Sequence, residues 1–171
     1  MPRIDFDRLP ETGRIWIFAA ERPLGDDEAA RLLAAVDAFL ETWNAHGTPL
    51  RGARGWREDR FLFVGVDEAA APPSGCSIDA LVRVLKEKEG ELGLDLLDHG
   101  PIHYRDGEGA VRRVSRARFR ELARAGRVGP DTPVFDTSLT RTRALREGAF
   151  ERPARESWHG KAFFSEAVGG G

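Results

Sequence analysis

The only cysteine of the chain stands in Ser74-Gly75-Cys76-Ser77-Ile78-Asp79, between an apolar run, Phe61–Val66, and residues with helical apolar spacing, Ile78, Leu81, Val82 and Leu85. A thiol in the first turn of a helix meets unpaired amide N–H groups and the positive end of the helix dipole, which favour a thiolate. Nucleophilic catalysis would also need a base for the thiol proton and donors for the developing oxyanion. The helix N-terminal amides are candidate donors, and His46 and His159 are candidate bases, so Cys76, His46 and His159 form the candidate catalytic set. Asp79 or Glu68 would orient such a histidine. Asp67, Glu68, Ser74, Gly75, Ser77 and Asp79, with Trp158, form the candidate ligand-binding set. The competing reading makes Cys76 a small inert residue and His46 a cation at the negative end of the preceding helix.

Other chemistries find less support. Asp67, Glu68, His46 and Asp79 could offer metal ligands, but no two have a recognised ligand spacing, so neither a metal nor a cofactor is expected. A phosphate loop needs Gly, four residues, then Gly-Lys-Ser/Thr. The only Gly-Lys pair, Gly160-Lys161, is followed by Ala162, and Arg155 stands where the first glycine should be.

Composition narrows the class. The 171 residues hold 26 basic and 28 acidic side chains, a net charge of −2, so no global field favours nucleic acid or an anionic membrane. A single cysteine forbids an intramolecular disulfide. Residues 1–10 are polar and acidic, unlike a signal peptide, and no run approaches a membrane span. A soluble, cytoplasmic protein is expected, its partner an unidentified protein or small molecule.

The elements that must position these residues follow from periodicity. Ile15-Trp16-Ile17-Phe18 has strong β preference. Asp26 or Asp27 then caps a helix with Leu32, Leu33, Val36, Phe39, Leu40 and Trp43 on one face, stopped by Gly47 and Pro49. Residues 50–56 and 60–66 read as a hairpin. A second helix starts after the cysteine motif, runs to about Glu89 and ends at Gly90 and Gly93. A further strand, Ile102–Arg105, would complete a split β-α-β (ferredoxin-like) two-layer α+β sandwich. Alternatively it belongs to the next unit, where Asp106-Gly107 marks a turn to Val111–Val114, Ser115 caps a helix over Arg116–Arg124, and 132–135 is a last strand. The expected organisation is a body over 1–99, a β-β-α-β unit over 100–137, and a tail over 138–171 that folds back on the body through Trp158. The arginines of 112–127 read as a solvated helix face rather than a nucleic-acid footprint.

Trp43-x-x-His46-Gly47-x-Pro49-Leu50, Val66-Asp67-Glu68, the cysteine motif, Val134-Phe135-Asp136 and Pro153-Ala154-x-x-Ser157-Trp158-His159 together resemble a family of small uncharacterised bacterial proteins of the Bacteroidetes and related phyla. Its members often carry the label "ABC transporter ATPase", which the missing phosphate loop argues against here. Within 102–135, Tyr104-x-Asp106-Gly107, Val114-Ser115 and Leu122-x-x-x-Gly126-x-Val128-x-Pro130-Asp131-Thr132-x-Val134 resemble the bacterial GYF-like modules, small adaptor domains whose eukaryotic relatives bind proline-rich peptides through aromatic residues. Two functional expectations result: a binding or adaptor protein without ATPase activity, or a small thiol-dependent enzyme or redox-responsive protein using Cys76 with His46 or His159.

Overall fold

The computed structural model describes residues 3–165 and is α+β, with antiparallel sheets and a few helices. The chain divides into two compact units, the first made of Met1–Asp98 with Ser138–Arg146 and the second of His99–Thr137 with Glu147–Gly171.

In the first unit, β1 (Arg14–Ala19) precedes α1 (Asp26–Thr42), a two-strand ribbon of β2 (Asn44–Ala45) and β3 (Thr48–Pro49), the hairpin of β4 (Gly52–Arg57) and β5 (Phe61–Val66), and α2 (Gly75–Leu92). The sheet order is β1-β5-β4, all antiparallel, with Trp16 opposite Val64 and Trp56 opposite Leu62. Period-two alternation puts Phe18, Leu62, Val64 and Val66 on one face. There they meet Leu32, Val36 and Leu40 of α1 and Leu81 and Leu85 of α2 in one buried cluster. The opposite face carries Phe63, against which Phe6 packs with ring centroids 6.1 Å apart. A side chain at Gly65 would meet Leu9, since a Cβ there would lie 2.4 Å from its methyl carbon. All six residues of β5 are therefore buried.

The expected fourth strand is not in this sheet. Ile102–Arg105 pairs with strands of the second unit instead. The edges that it would have occupied are already engaged: the Ile15 amide donates to Thr140 O at 2.9 Å, and the Ile4 amide donates to Gly52 O at 2.8 Å. The sandwich is thus three-stranded, and the ferredoxin-like closure is corrected to that extent.

Two helix ends also differ from expectation. The N-cap of α1 is Gly25, whose amide donates to Glu28 Oε1 at 3.0 Å, while Asp26 and Asp27 lie in the first turn. At the other end α1 stops at Thr42 because Trp43 turns to extended backbone and buries its ring. Gly47 serves the ribbon turn instead: His46 at φ 52° and Gly47 at φ 81° connect β2 to β3, left-handed positions that histidine tolerates better than most residues and glycine without cost.

The second unit contains β6 (Ile102–Arg105), β7 (Val111–Val114), α3 (Arg116–Arg124), β8 (Pro133–Phe135) and β9 (Glu151–Pro153), in the antiparallel order β7-β6-β8-β9. Its strand-strand-helix-strand run follows the order read from sequence, with β9 as an additional edge. Phe119 and Leu122 of α3 pack on Ile102, Val128, Val134 and Ala154. The C-terminal stretch, which shows no periodicity in sequence, divides between the units. Residues 142–146 form α4 (Thr142–Arg146) in the first, and 154–164 form a 3₁₀ turn and a single π-helical turn in the second.

Candidate functional site

Cys76 is the second residue of α2 and is exposed. Ser74 is the N-cap: its Oγ accepts from the Ser77 amide at 3.1 Å, and its own amide donates to Ser77 Oγ at 2.7 Å. This reciprocal box explains why the helix begins at Gly75. Trp43 closes the neighbouring side, its indole N–H donating to Ser77 O at 2.8 Å inside the core. A shallow cleft of about 190 Å³ results, lined by Trp43, His46, Ser74, Cys76 and Ser77 among others.

The structure therefore brings Cys76 and His46 to one cleft, together with Ser74 and Ser77. Among the described residues neither the thiol nor the His46 ring has a hydrogen-bond partner. Of the two carboxylates expected to orient the histidine, Glu68 is committed elsewhere and Asp79 has no partner among the described residues. Asp67 accepts from the Ala69 amide at 3.0 Å, and Glu68 pairs with Arg141 at 3.2 Å. Asp79 is exposed on α2, and Gly75 is the exposed first residue of that helix.

His159 and Trp158 lie in the second unit. His159 is 1% exposed, its ring stacked on Trp158 at 4.0 Å and its Nδ1 2.9 Å from Ser157 Oγ. Burial pushes its pKa down from 6.5 to about 4; Asp136 opposes that shift and Arg116 adds to it. The folded state thus holds a neutral imidazole, and its protonation must be supplied at the expense of folding. Stability is full above pH 6.5, where the unfolded histidine is also neutral, and is lost as pH falls from there through about 4. Between pH 7.5 and 4.5 this histidine is expected to remove about 2 kcal/mol from the unfolding free energy. Urea titrations of the wild type and of His159→Asn should show that the variant loses less over the same range. Equal losses would mean that other groups carry the acid sensitivity.

A larger concavity in the second unit was not legible as a site. It has a volume of about 500 Å³ and lies between the β6–β7 turn and the loop from α3 to β8, lined by Tyr104, Arg105, Asp106, Arg127, Asp131 and Pro133 among others. Both walls are tied down. Asp106 accepts from the amides of Glu108 and Ala110, each at 2.9 Å, and from Arg112 Nε at 2.7 Å, and these contacts lower its pKa, the Arg112 bond most. Arg105 grips Glu151 through two hydrogen bonds of 2.7 and 3.0 Å and donates to Gly109 O at 2.8 Å. On the far wall, Gly126 takes φ 73°, the Arg127 amide donates to Leu122 O at 2.8 Å, and Thr132 Oγ1 accepts from the Gly129 amide at 2.8 Å. Asp131 is paired with Arg155.

Two groups at this cleft remain available. Arg127 is exposed and has no side-chain partner among the described residues, and the Tyr104 hydroxyl has none either. The Tyr104 ring rests on Phe119, centroids 5.6 Å apart. The cleft thus combines an aromatic surface on the core, buried Leu122 and Val128, and a free guanidinium. Its sequence signals are the Asp106-Gly107 turn and Gly126, both part of the GYF-like pattern.

Among the described residues no three histidine, cysteine or carboxylate side chains gather as a metal site, and no helix is long and apolar enough to cross a membrane. Comparison with protein-family models, curated proteins and solved structures returns no match.

Proposed function

We propose that the protein is a non-catalytic binding or adaptor protein whose second unit holds a peptide-like ligand in the cleft between Tyr104 and Arg127. The observation that carries this reading is the cleft itself: concave, walled by two hydrogen-bonded turns, with a half-buried aromatic ring and an arginine that has no partner among the described residues. Rigid walls reduce the ordering that binding would otherwise cost. A tyrosine ring suits the flat apolar surface of an extended, proline-containing segment, and a free guanidinium suits a carboxylate. The resemblance of 102–135 to GYF-like adaptor modules supports the same reading.

The test is selection of peptides from a random display library on the wild-type protein. The selected peptides are expected to lose about tenfold or more in affinity on Tyr104→Ala and on Arg127→Ala, one strong contact being worth about that factor. Cys76→Ser should leave binding unchanged. Peptides indifferent to both cleft variants would sink the reading.

The shared cleft of Cys76 and His46 favours a second reading, a thiol-dependent or redox-responsive protein. Cys76 is expected to react with a thiol reagent in the native state without denaturant, because it is exposed. If His46 activates it, His46→Ala slows that reaction about tenfold or more at neutral pH, against an unchanged rate for a bystander.

A further inference from the structure

The exposed side of α3 holds an arrangement that the cleft does not use. Arg116, Arg120 and Arg124 recur at four-residue spacing, which sets them on one stripe about 6 Å apart along the helix. Two of them lie on aromatic rings from the C-terminal turns: the Arg116 guanidinium carbon is 5.2 Å from the Trp158 centroid, and that of Arg120 is 5.5 Å from Phe163. Among the described residues none of the three pairs with a carboxylate; Arg116 donates one bond of 3.3 Å to Gly100 O. By contrast Arg118, off the stripe, pairs with Glu121 at 3.1 Å. Beside the stripe is a cavity of about 200 Å³ lined by Arg120, Ala123, Arg124, Ala162, Phe163 and Phe164.

A guanidinium placed over a ring by a cation–π contact keeps N–H donors for a further partner and gives up less rotational freedom when it binds. Those donors match a carboxylate in bidentate geometry. The ring faces are meanwhile occupied by the guanidinium groups, which argues against base stacking of a single-stranded nucleic acid. We infer that this stripe docks an acidic helix of a partner protein, with carboxylates at four-residue spacing set against Arg116, Arg120 and Arg124 and an apolar side chain entering the cavity beside Phe163 and Phe164. The surface is distinct from the Tyr104 and Arg127 cleft, and neither Arg120 nor Arg124 lines that cleft.

The experiment is fluorescence anisotropy with a labelled alanine-based helical peptide of about four turns, carrying glutamates four residues apart and leucines beside them. Its counterpart has glutamine at each glutamate, and oligothymidine serves as the nucleic-acid probe. The glutamate peptide is expected to bind about tenfold or more tightly than the glutamine peptide, and more weakly as salt rises. Arg120→Gln with Arg124→Gln should remove most of that difference, whereas Arg118→Gln should stay within about twofold of wild type. The single Arg124→Glu keeps the Arg120–Phe163 contact and reverses charge on the stripe, so it tests the same point if the double variant melts early. Equal binding of the two peptides, tighter binding of oligothymidine, or a loss on Arg118→Gln as large as on the stripe variants would overturn the inference.

Discussion

Phe119→Ala is expected to remove about 3–5 kcal/mol from the stability of the second unit, the range for deleting a fully buried aromatic ring. Phe119 is 0% exposed and sits at the centre of an aromatic group. Phe163 meets it edge-on at 4.9 Å and 74°, Phe164 at 6.1 Å and 76°, and Tyr104 at 5.6 Å. The cavity left by alanine would remove the support of the Tyr104 ring at the cleft and of the π-helical turn that carries Phe163. One substitution should therefore weaken peptide selection at the cleft and anisotropy on the α3 stripe together. Phe119→Leu should recover more than half of the stability, because it refills most of the volume. Chemical unfolding followed by tryptophan fluorescence measures both variants, the transition of the second unit, reported by Trp158, being the one expected to move while that reported by Trp16, Trp43 and Trp56 stays. A loss below about 1 kcal/mol for Phe119→Ala would show that these rings do not form one cooperative core.

In the first unit the largest effect is expected at Trp43. Its ring is 2% exposed and packs edge-on against Trp16 at 5.9 Å and beside Phe39 at 5.5 Å. Its backbone oxygen accepts from the Leu50 amide at 2.9 Å, so the residue joins the end of α1 to the start of the β4–β5 hairpin. Trp43→Ala should cost about 3–5 kcal/mol. Trp43→Phe separates packing from hydrogen bonding: it keeps an aromatic ring and removes the donor to Ser77 O, for about 1 kcal/mol plus the volume difference. Because Ser77 O lies in the first turn of α2, both variants should also change the rate at which Cys76 reacts with a thiol reagent. A Trp43→Ala protein with wild-type stability and unchanged Cys76 reactivity would contradict the role of Trp43 as the strut of that cleft.

Both predictions rest on contacts that are far apart in sequence. Phe119 meets residues more than forty positions on, and Trp43 donates to a carbonyl 34 positions away. The candidate thiol site was legible to the extent that it is local. Ser74 as a cap, the helical face of Leu81 and Leu85, and the position of Cys76 in the first turn follow from short-range hydrogen bonding and periodicity. That His46 would come to the same cleft was not legible, because it depends on how α1 and α2 pack. The Tyr104 and Arg127 cleft was missed for the same reason: its two walls are turns whose glycines and Asx contacts signal local geometry, while the space between them exists only once α3 is docked on the sheet.

The sequence by itself determined the elements whose stabilising interactions lie within a few residues. It marked both long helices, the β4–β5 hairpin, the β6–β7 turn at Asp106, the start of α3 at Ser115, and the mixed α+β class. Only the tertiary structure decided which sheet receives Ile102–Arg105, because a four-residue strand reads the same beside either set of partners and the choice turns on edges that Ile4 and Thr140 already engage. It also decided the order in 138–165, where the strand, the 3₁₀ turn and the π-helical turn are held by pairing with β8 and by rings packed on Phe119 rather than by a periodicity of their own. Last, it placed the exposed Arg116 and Arg120 guanidinium groups over Trp158 and Phe163, ring contacts made across more than forty residues of sequence.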